Sequence, residues 1–262
     1  MKKIIKKDLF DLKNKIVVVT GSEGKIGSYL KKNLEIKGAK VYGIGLQKKN
    51  KKNYFKGNLS NEKNIKKILN KIIKIEKKID VIINNAGVSV FTPMEKRTNK
   101  EIDYTINCNL KGTINIVKNY FVLHKKKKLK HCKIINIGSI YGLVSPDLRV
   151  YSKGDNINSE IYGATKAGII QLTKYYAAMF GKYNILVNCI SPGGLSDKAH
   201  SQKFINNYNK RVPMNRFGIE NDLLGAIIYF ASDSCSYTTG QNLVIDGGLT
   251  SWWGLNLIIF FL

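Results

Sequence analysis

Short apolar runs rich in β-branched residues alternate with helix-like stretches along almost the whole of this chain. Uninterrupted runs of this kind are typical of strands buried on both faces of a sheet. We predict strands at Lys15–Thr20, Ala39–Ile44, Asp80–Asn85, Lys133–Gly138, Ile185–Ile190 and Asn242–Asp246. We predict helices between the first two strands, ending at Gly38, and at Asn61–Lys78, Glu101–Leu123, Ile161–Phe180 and Asp222–Ala231. Because such crossovers are right-handed, this order predicts an α/β fold, a doubly wound parallel sheet with helices on both faces.

The length of 262 residues fits one large domain better than two. We expect a single domain over 1–262, with its core at about 15–248 and an apolar C-terminal tail at 249–262. The last eleven residues, "WWGLNLIIFFL", are too few for a membrane span, which needs roughly 20. The basic, charge-broken N-terminus lacks the pattern of a secretion signal, and the four cysteines form no CxxC pair. Both features predict a cytoplasmic protein with reduced thiols.

The formal net charge of +26 raises the question of a nucleic-acid partner. Only four of the 44 basic residues are arginine, whose planar fork suits the recognition of base edges. The lysines are spread along the chain, and charge alone supports only non-specific binding. We therefore predict no nucleic-acid partner.

A glycine-rich turn, "TGSEGKIG" (Thr20–Gly27), leaves the first predicted strand and leads into the first helix. Gly21 permits a tight turn, Gly24 allows close approach to the backbone, and Gly27 lets helix and strand pack closely. The N–H groups at the start of the helix can bind a diphosphate. The position directly after a buried strand favours a dinucleotide site over a simple turn.

Small and polar residues end three further strands, in "NNAG" (Asn84–Gly87), "NIGS" (Asn136–Ser139) and "SPGG" (Ser191–Gly194). Tyr162 and Lys166 follow near the start of a helix, four residues apart and therefore one above the other. Ligands of open parallel sheets bind beyond the carboxyl ends of the strands. The sequence thus predicts one active site at this edge.

Together and in order, these motifs resemble those of the short-chain dehydrogenases/reductases, over about Lys15–Gly248. The resemblance also rests on "CNLKG", "NCISPGG" and "TGQNLVIDGG". It implies a single-domain Rossmann-type fold and a hydride transfer between a nicotinamide cofactor and an alcohol or carbonyl group. One departure is the spacing TGxxGxxG, with Lys25 where many members have glycine. That spacing is familiar from the extended, sugar-nucleotide-acting branch.

The resemblance implies four catalytic residues, Asn109, Ser139, Tyr162 and Lys166. Tyr162 resembles the general acid/base; Lys166 and the positive nicotinamide would favour its phenolate, since a free phenol has a pKa of about 10. In the family the lysine also holds the nicotinamide ribose. Ser139 would fix the substrate oxygen by a hydrogen bond. Asn109 would hold a water that links Lys166 to solvent, with Asn107 as the competitor for that role.

The resemblance also implies a cofactor site, with NADP or NAD as the cofactor. Its residues would be Gly21, Ser22, Glu23, Gly24, Lys25, Ile26, Gly27, Asn58, Leu59, Asn85, Ala86, Gly87, Tyr162, Lys166, Pro192, Gly193 and Leu195. Asn58 matches the position that contacts the adenine. The acid that binds the adenosine ribose of NAD is missing, because Gly45 holds that position and Lys48 and Lys49 lie just beyond. This favours NADP, although Glu23 in the turn would repel a 2′-phosphate.

The segment between Ser139 and Tyr162 is longer than usual in the family. Together with Gln202–Gly218, it resembles oxidoreductases of flagellin-modification and sialic-acid-like sugar pathways. The implied substrate is a sugar, either unmodified, phosphorylated or nucleotide-activated, from surface-glycan or flagellin-modification biosynthesis. The alternatives are a 3-oxoacyl-carrier-protein reductase and, outside enzymes, a cofactor-binding scaffold or regulator. The intact catalytic set argues against the last.

Arginine forks suit phosphate or carboxylate, in a chain that otherwise uses lysine. The candidate substrate residues are therefore Ser139, Tyr162, Arg149, Arg211 and Arg216. The competing interpretation pairs the arginines with nearby acids such as Glu220 or Asp222.

The remaining motif residues have structural interpretations. We expect Asn188 to brace its strand and Asp246 to belong to the C-terminal turn or to subunit contacts. The histidines are too scattered for a metal site, so we predict no metal. The family commonly pairs through the helices that contain Asn109 and Tyr162, and near the last strand. We predict a homotetramer, with a homodimer second.

Overall fold

A computed structural model of the protein describes residues 8–47, 52–197 and 200–252. These residues contain seven parallel strands in one sheet, in the order β3-β2-β1-β4-β5-β6-β7. The strands are β1 (Ile16–Thr20), β2 (Lys40–Gly45), β3 (Tyr54–Lys56), β4 (Val81–Asn84), β5 (Cys132–Ile137), β6 (Ile185–Pro192) and β7 (Asn242–Ile245). The doubly wound α/β prediction is confirmed, and each predicted strand lies within two residues of an observed one. The three-residue strand β3 was missed, because it is too short to show a pattern.

Seven α-helices connect these strands. They are α1 (Lys25–Ile36), α2 (Glu62–Glu76), α3 (Asn99–Ile106), α4 (Gly112–Lys127), α5 (Glu160–Phe180), α6 (Gln202–Asn209) and α7 (Glu220–Ala231). The helix predicted at Glu101–Leu123 is in fact α3 and α4, joined by a π-helical turn at Asn107–Lys111. Helix α6 was not predicted, because its polar sequence offers only Phe204 and Tyr208 for burial.

Two apolar layers cover the two faces of the sheet. On one face, Ile72 of α2, Tyr120 of α4 and Phe180 of α5 are buried. On the other face, Leu34 of α1 and Phe230 of α7 are buried. Because both faces are covered, the strands are continuous apolar runs rather than alternating ones. No helix in the described ranges is long and apolar enough to cross a bilayer.

A third apolar cluster lies apart from the sheet and includes Val150, Phe204 and Phe217. It joins the segment between β5 and α5 to the segment that contains α6. We call the described residues of these two segments, 141–159 in the first and 195–197 with 200–218 in the second, the roof. They cover the carboxyl edge of the sheet beside β5 and β6.

Candidate active site

Helix α5 fixes Tyr162 and Lys166 against the end of β5. Ser159 caps the helix, and its Oγ accepts a hydrogen bond from the Tyr162 N–H at 3.3 Å. The buried Lys166 ammonium donates to the carbonyl oxygen of Ile137 at 2.8 Å and lies 5.5 Å from the centre of the Tyr162 ring. The predicted pair therefore lies at the predicted edge.

Ser139 lies two residues beyond β5 and is only 7% exposed. Its backbone is extended, and its Oγ accepts a hydrogen bond from the Tyr141 N–H at 3.2 Å. Ser139 and Tyr162 line the same cavities. The hydroxyl pair needed to hold a carbonyl or alcohol oxygen is thus brought together by β5 and α5.

Asn109 lies fully buried in the π-helical turn. Its Oδ1 accepts from the Val88 N–H at 2.8 Å, and its Nδ2 donates to the Val88 carbonyl at 2.9 Å and to Thr165 Oγ1 at 3.1 Å. The side chain therefore ties the loop after β4 to α5, the helix of the tyrosine. Its predicted role in holding a water stays a prediction. Asn107, the competitor, lies farther out, beside Cys108.

Sequence reasoning missed a buried chain of amides beneath this site. Asn84 of β4 donates to Asn136 of β5 at 2.8 Å, and Asn136 donates to Thr173 of α5 at 2.9 Å. All three residues are buried. Amides inside otherwise apolar strands were the available signal, since buried polar groups persist only when they are hydrogen-bonded.

The glycine-rich turn packs too closely against its neighbours to accept side chains at Gly21 and Gly27. Gly21 has φ +62°, and a Cβ there would lie 2.8 Å from the Ala86 Cα. A Cβ on Gly27 would overlap the Gly21 carbonyl oxygen. Asn85 Nδ2 donates to the carbonyls of Thr20 and Gly21, which holds the turn in place. Helix α1 has no side-chain cap, so its first N–H groups are left for a diphosphate.

Three adjoining cavities form a groove along the sheet edge. The turn cavity, about 680 Å³, lies between the glycine-rich turn and Asn58. The central cavity, about 300 Å³, lies over Lys166 and shares Ile26 with the turn cavity. The roof cavity, about 540 Å³, shares Ser139 and Tyr162 with the central one. The groove has the shape of a dinucleotide site that ends at a substrate site.

The predicted cofactor residues line the turn and central cavities, with two exceptions. Ser22 lies beneath the turn against Gly43, and Gly27 packs on the turn itself. Lys25 points away from the turn, since its ammonium contacts the Ser196 carbonyl and lies 3.3 Å from a carboxylate oxygen of Glu220.

Asn158 was missed as a site residue, although it lines both the central and the roof cavity. It lies in an irregular segment where no pattern marks it. Asp155, also in this segment, joins the two halves of the roof. Its carboxylate accepts from the Ser201 hydroxyl at 2.8 Å and from the Ser152 N–H at 2.6 Å.

Neutral polar groups dominate the walls of the roof cavity. Tyr141 and Tyr151 share a hydrogen bond of 2.9 Å between their hydroxyls, and Tyr208 accepts from the Gly194 N–H. Burial raises the pKa of all three phenols, that of Tyr208 to about 12. Burial also lowers the pKa of His200, so that its imidazole is neutral at pH 7. Within the described chain, no lysine or arginine lines this cavity.

The three candidate arginines lie elsewhere. Arg149 Nε lies 2.8 Å and Arg211 Nε 3.4 Å from carboxylate oxygens of Asp147. Arg216 makes a two-pronged pair with Asp222, at 2.7 and 2.9 Å. Pairing with nearby acids, the competing interpretation, is therefore confirmed for Arg216. The geometry gives no support to a substrate role for these arginines.

The structural interpretations of Asn188 and Asp246 are confirmed. Asn188 donates to the Thr238 carbonyl and accepts from the Gln241 N–H, which braces β6. Asp246 accepts from the N–H groups of Gly248 and Thr250 in the C-terminal turn. The ranges that the structure describes contain no cluster of three or more potential metal ligands. Lys48, Lys49 and the tail beyond Trp252 lie outside the described residues.

Comparisons with known proteins agree with this geometry. Residues 37–250 match the family model described as enoyl-(acyl carrier protein) reductase. A short-chain dehydrogenase from Leptospira borgpetersenii, solved with bound NAD⁺, is 38% identical with a TM-score of 0.87, covering 95% of this chain and 98% of its own. A gluconate 5-dehydrogenase from Burkholderia cenocepacia, in complex with NADP and tartrate, is 25% identical with a TM-score of 0.83, covering 94% and 99%. The 3-oxoacyl-[acyl-carrier-protein] reductase of Thermotoga maritima is 29% identical over 91% of this chain and 98% of its own.

The chain therefore belongs to the short-chain dehydrogenase/reductase family. It is an NAD(P)-dependent oxidoreductase with a Rossmann-type fold.

Proposed function

We propose that this enzyme oxidises or reduces one carbon of a neutral, polyhydroxylated, sugar-like molecule bound in the roof cavity. The observation that carries the proposal is the chemistry of the cavity wall. It combines hydroxyl, amide and imidazole groups with the aromatic faces of Phe204 and Phe217, and its charged groups are the carboxylates of Asp155 and Asp197. Such groups form hydrogen bonds with substrate hydroxyls and disfavour a phosphate.

The catalytic residues would act on the substrate oxygen. A bound nicotinamide cofactor would supply or accept the hydride. The protein would supply or accept the proton. Tyr162 would give a proton to the developing alkoxide during reduction, or take one from the alcohol during oxidation. Ser139 would hold the same oxygen by a hydrogen bond. Lys166, anchored on the Ile137 carbonyl, would hold its positive charge near the phenolate.

The comparisons support a nicotinamide cofactor, and the glycine-rich turn fits one. The Leptospira neighbour holds NAD⁺ and the Burkholderia neighbour NADP, so both cofactors occur on this fold. The prediction of NADP rested on the absence of an acid at Gly45 and on two lysines outside the described residues. The side chains described around Gly45 do not support it.

The sugar-like substrate has some support from the comparisons, since the Burkholderia neighbour is a gluconate dehydrogenase. A role in surface-glycan or flagellin-modification biosynthesis stays a prediction. So does the cytoplasmic location.

One observation favours the 3-oxoacyl-carrier-protein alternative. An apolar groove runs from the roof cavity past Phe91 to Met94, Leu143 and Leu148. It would hold an acyl chain better than a sugar. The Thermotoga relative is a reductase of this kind.

Turnover assays with two substrate panels separate the two functions. The purified protein is offered aldoses, keto-sugars and sugar acids, and in parallel 3-oxoacyl thioesters, each with NAD(H) and NADP(H). We expect kcat/KM to be highest for a neutral member of the carbohydrate panel and lower for the sugar acids, which carry a carboxylate. Efficient reduction of 3-oxoacyl thioesters, with no turnover of any carbohydrate, would show that the sugar proposal is wrong.

A further inference from the structure

The carboxylate of Glu23 lies over the end of β2, where the chain has no acid of its own. A Cβ built on Gly45 would overlap this carboxylate, because three carboxylate atoms would lie less than 3.0 Å away. Glu23 comes from the glycine-rich turn, not from β2. The position left without a side chain at Gly45 is thus filled from another part of the fold.

A second glycine of β2, Gly43, also makes room for a side chain of the turn. A Cβ on Gly43 would overlap the hydroxyl of Ser22. Gly43 and Gly45 are two residues apart and therefore present the same face of the strand. Consecutive residues of the turn, Ser22 and Glu23, fold over these two positions. Glycine at position 45 therefore leaves the space that the Glu23 side chain occupies. We call this pairing, glycine on the strand and the acid on the turn, the coupled exchange.

Tyr54 of the neighbouring strand β3 fixes the carboxylate. Its hydroxyl donates a hydrogen bond to Glu23 Oε1 and lies 2.9 Å from the Gln47 carbonyl oxygen. Glu23, Gly45 and Asn58 line the turn cavity together, so the held carboxylate faces the space beside the glycine-rich turn. Lys25 is engaged with Ser196 and Glu220 and does not pair with it.

We infer that Glu23 selects NAD over NADP. Its carboxylate would accept hydrogen bonds from the 2′- and 3′-hydroxyls of the adenosine ribose. The same charge would repel a 2′-phosphate, since like charges at close range in a partly enclosed site oppose binding. The inference rests on the cofactor site of the family and is independent of the sugar proposal.

Binding of the reduced cofactors, measured without substrate, tests this inference. Fluorescence titration of the dihydronicotinamide gives Kd for NADH and for NADPH. We expect the wild type to bind NADH at least about tenfold more tightly, the scale of one hydrogen bond to a charged group. Glu23→Gln removes the charge and keeps the shape, so the ratio of the two Kd values should fall about tenfold towards NADPH. The matched control is Glu35→Gln, on the exposed part of α1, which should leave the ratio unchanged.

A transplanted acid provides the second test. In the double variant Glu23→Ser with Gly45→Asp, the carboxylate no longer covers Gly45 and the acid comes from the strand. We expect the NADH preference to return, compared with Glu23→Ser alone. Tyr54→Phe should weaken the preference in the same direction as Glu23→Gln, but less.

The inference is overturned if the wild type binds NADPH as tightly as NADH, or if Glu23→Gln leaves the ratio unchanged. A double variant without any NADH preference would overturn the coupled exchange. These Kd values are measured without substrate. They therefore test the role of Glu23 whether or not the sugar proposal is correct.

Discussion

At the scale of single residues, three of the four candidate catalytic side chains are held in place by backbone groups. Lys166 is anchored on a strand-end carbonyl, Asn109 on the Val88 backbone, and Ser139 on its own turn. The Tyr162 hydroxyl, in contrast, makes no hydrogen bond to any residue that the structure describes. It therefore has room to bind the proposed substrate. The constellation is therefore set before a ligand arrives, which is what general acid/base catalysis requires.

The first prediction concerns the Tyr162 hydroxyl. Tyr162→Phe keeps the ring and removes the transferable proton, so turnover should fall by at least about 100-fold. Kd for the reduced cofactor should stay within a few-fold of the wild type, because α5 and its Ser159 cap are unchanged. Steady-state kinetics and fluorescence titration provide the two measurements. Turnover near that of the wild type would rule out Tyr162 as the acid/base.

The second prediction separates a structural arginine from a substrate one. Arg216 pairs with Asp222 through both terminal nitrogens, and that fork braces the start of α7. Arg216→Lys should leave kcat/KM for the true substrate unchanged within about twofold, because exposed ion pairs contribute little. The melting temperature should fall slightly at most. A loss of tenfold or more in kcat/KM would instead indicate that Arg216 contacts the substrate, as the sequence suggested.

At the scale of elements, the roof is the part of the molecule that encloses the candidate substrate cavity. Helix α5 carries the proposed acid/base and the turn after β1 forms the proposed cofactor cradle, whereas the described residues of the roof supply most of the wall of the roof cavity. The two segments of the roof are joined by hydrogen bonds and by the third apolar cluster. We therefore expect the roof to set KM more than kcat.

The third prediction tests the joint between the two halves of the roof. Asp155→Ala and Ser201→Ala each break the 2.8 Å hydrogen bond between them, so each should raise KM and lower kcat/KM by about 3- to 20-fold. The double variant should cost less than the two single changes combined, since one shared interaction is lost only once.

Two controls accompany this cycle. Asp103→Ala, on the exposed surface of α3, should leave KM unchanged. Cofactor Kd should not move in any variant. Strict additivity of Asp155→Ala and Ser201→Ala in kcat/KM would mean that the observed bond does not couple the two segments.

At the scale of the whole molecule, exposed apolar side chains on α4 and α5 remain to be explained. Tyr175 is 59% exposed and Met179 44%, on α5, the helix that carries Tyr162. Val122 of α4 is exposed as well. Large apolar side chains gathered on neighbouring elements are typical of protein–protein contacts. They support the proposal of a symmetric homo-oligomer.

The fourth prediction is that the protein is a homotetramer at micromolar concentration, or failing that a homodimer. Light scattering coupled to gel filtration measures the mass. Tyr175→Lys should shift the population to a smaller species without loss of the fold, because a charge would be buried without a partner. Ile75→Lys, at an exposed apolar site of α2, is the matched control and should leave the mass unchanged. A wild-type monomer would contradict the prediction.

The sequence by itself determined six of the seven described strands, most of the described helices and the place of the predicted catalytic set. These follow from local periodicity and from motifs whose members are close in the chain, such as Tyr162 and Lys166. The carboxyl ends of parallel strands must share one edge, so the convergence of Ser139 with Tyr162 followed without coordinates.

Only the tertiary structure decided which side chains meet across that edge. Glu23 over Gly45, Asp155 with Ser201, and the amide chain from Asn84 to Thr173 join residues more than 20 positions apart. No local pattern specifies such pairs, because they depend on how loops and strands pack against one another. The missing acid of β2 shows the reason most clearly. An absence in one element was filled by a side chain from another, and that replacement exists only in three dimensions.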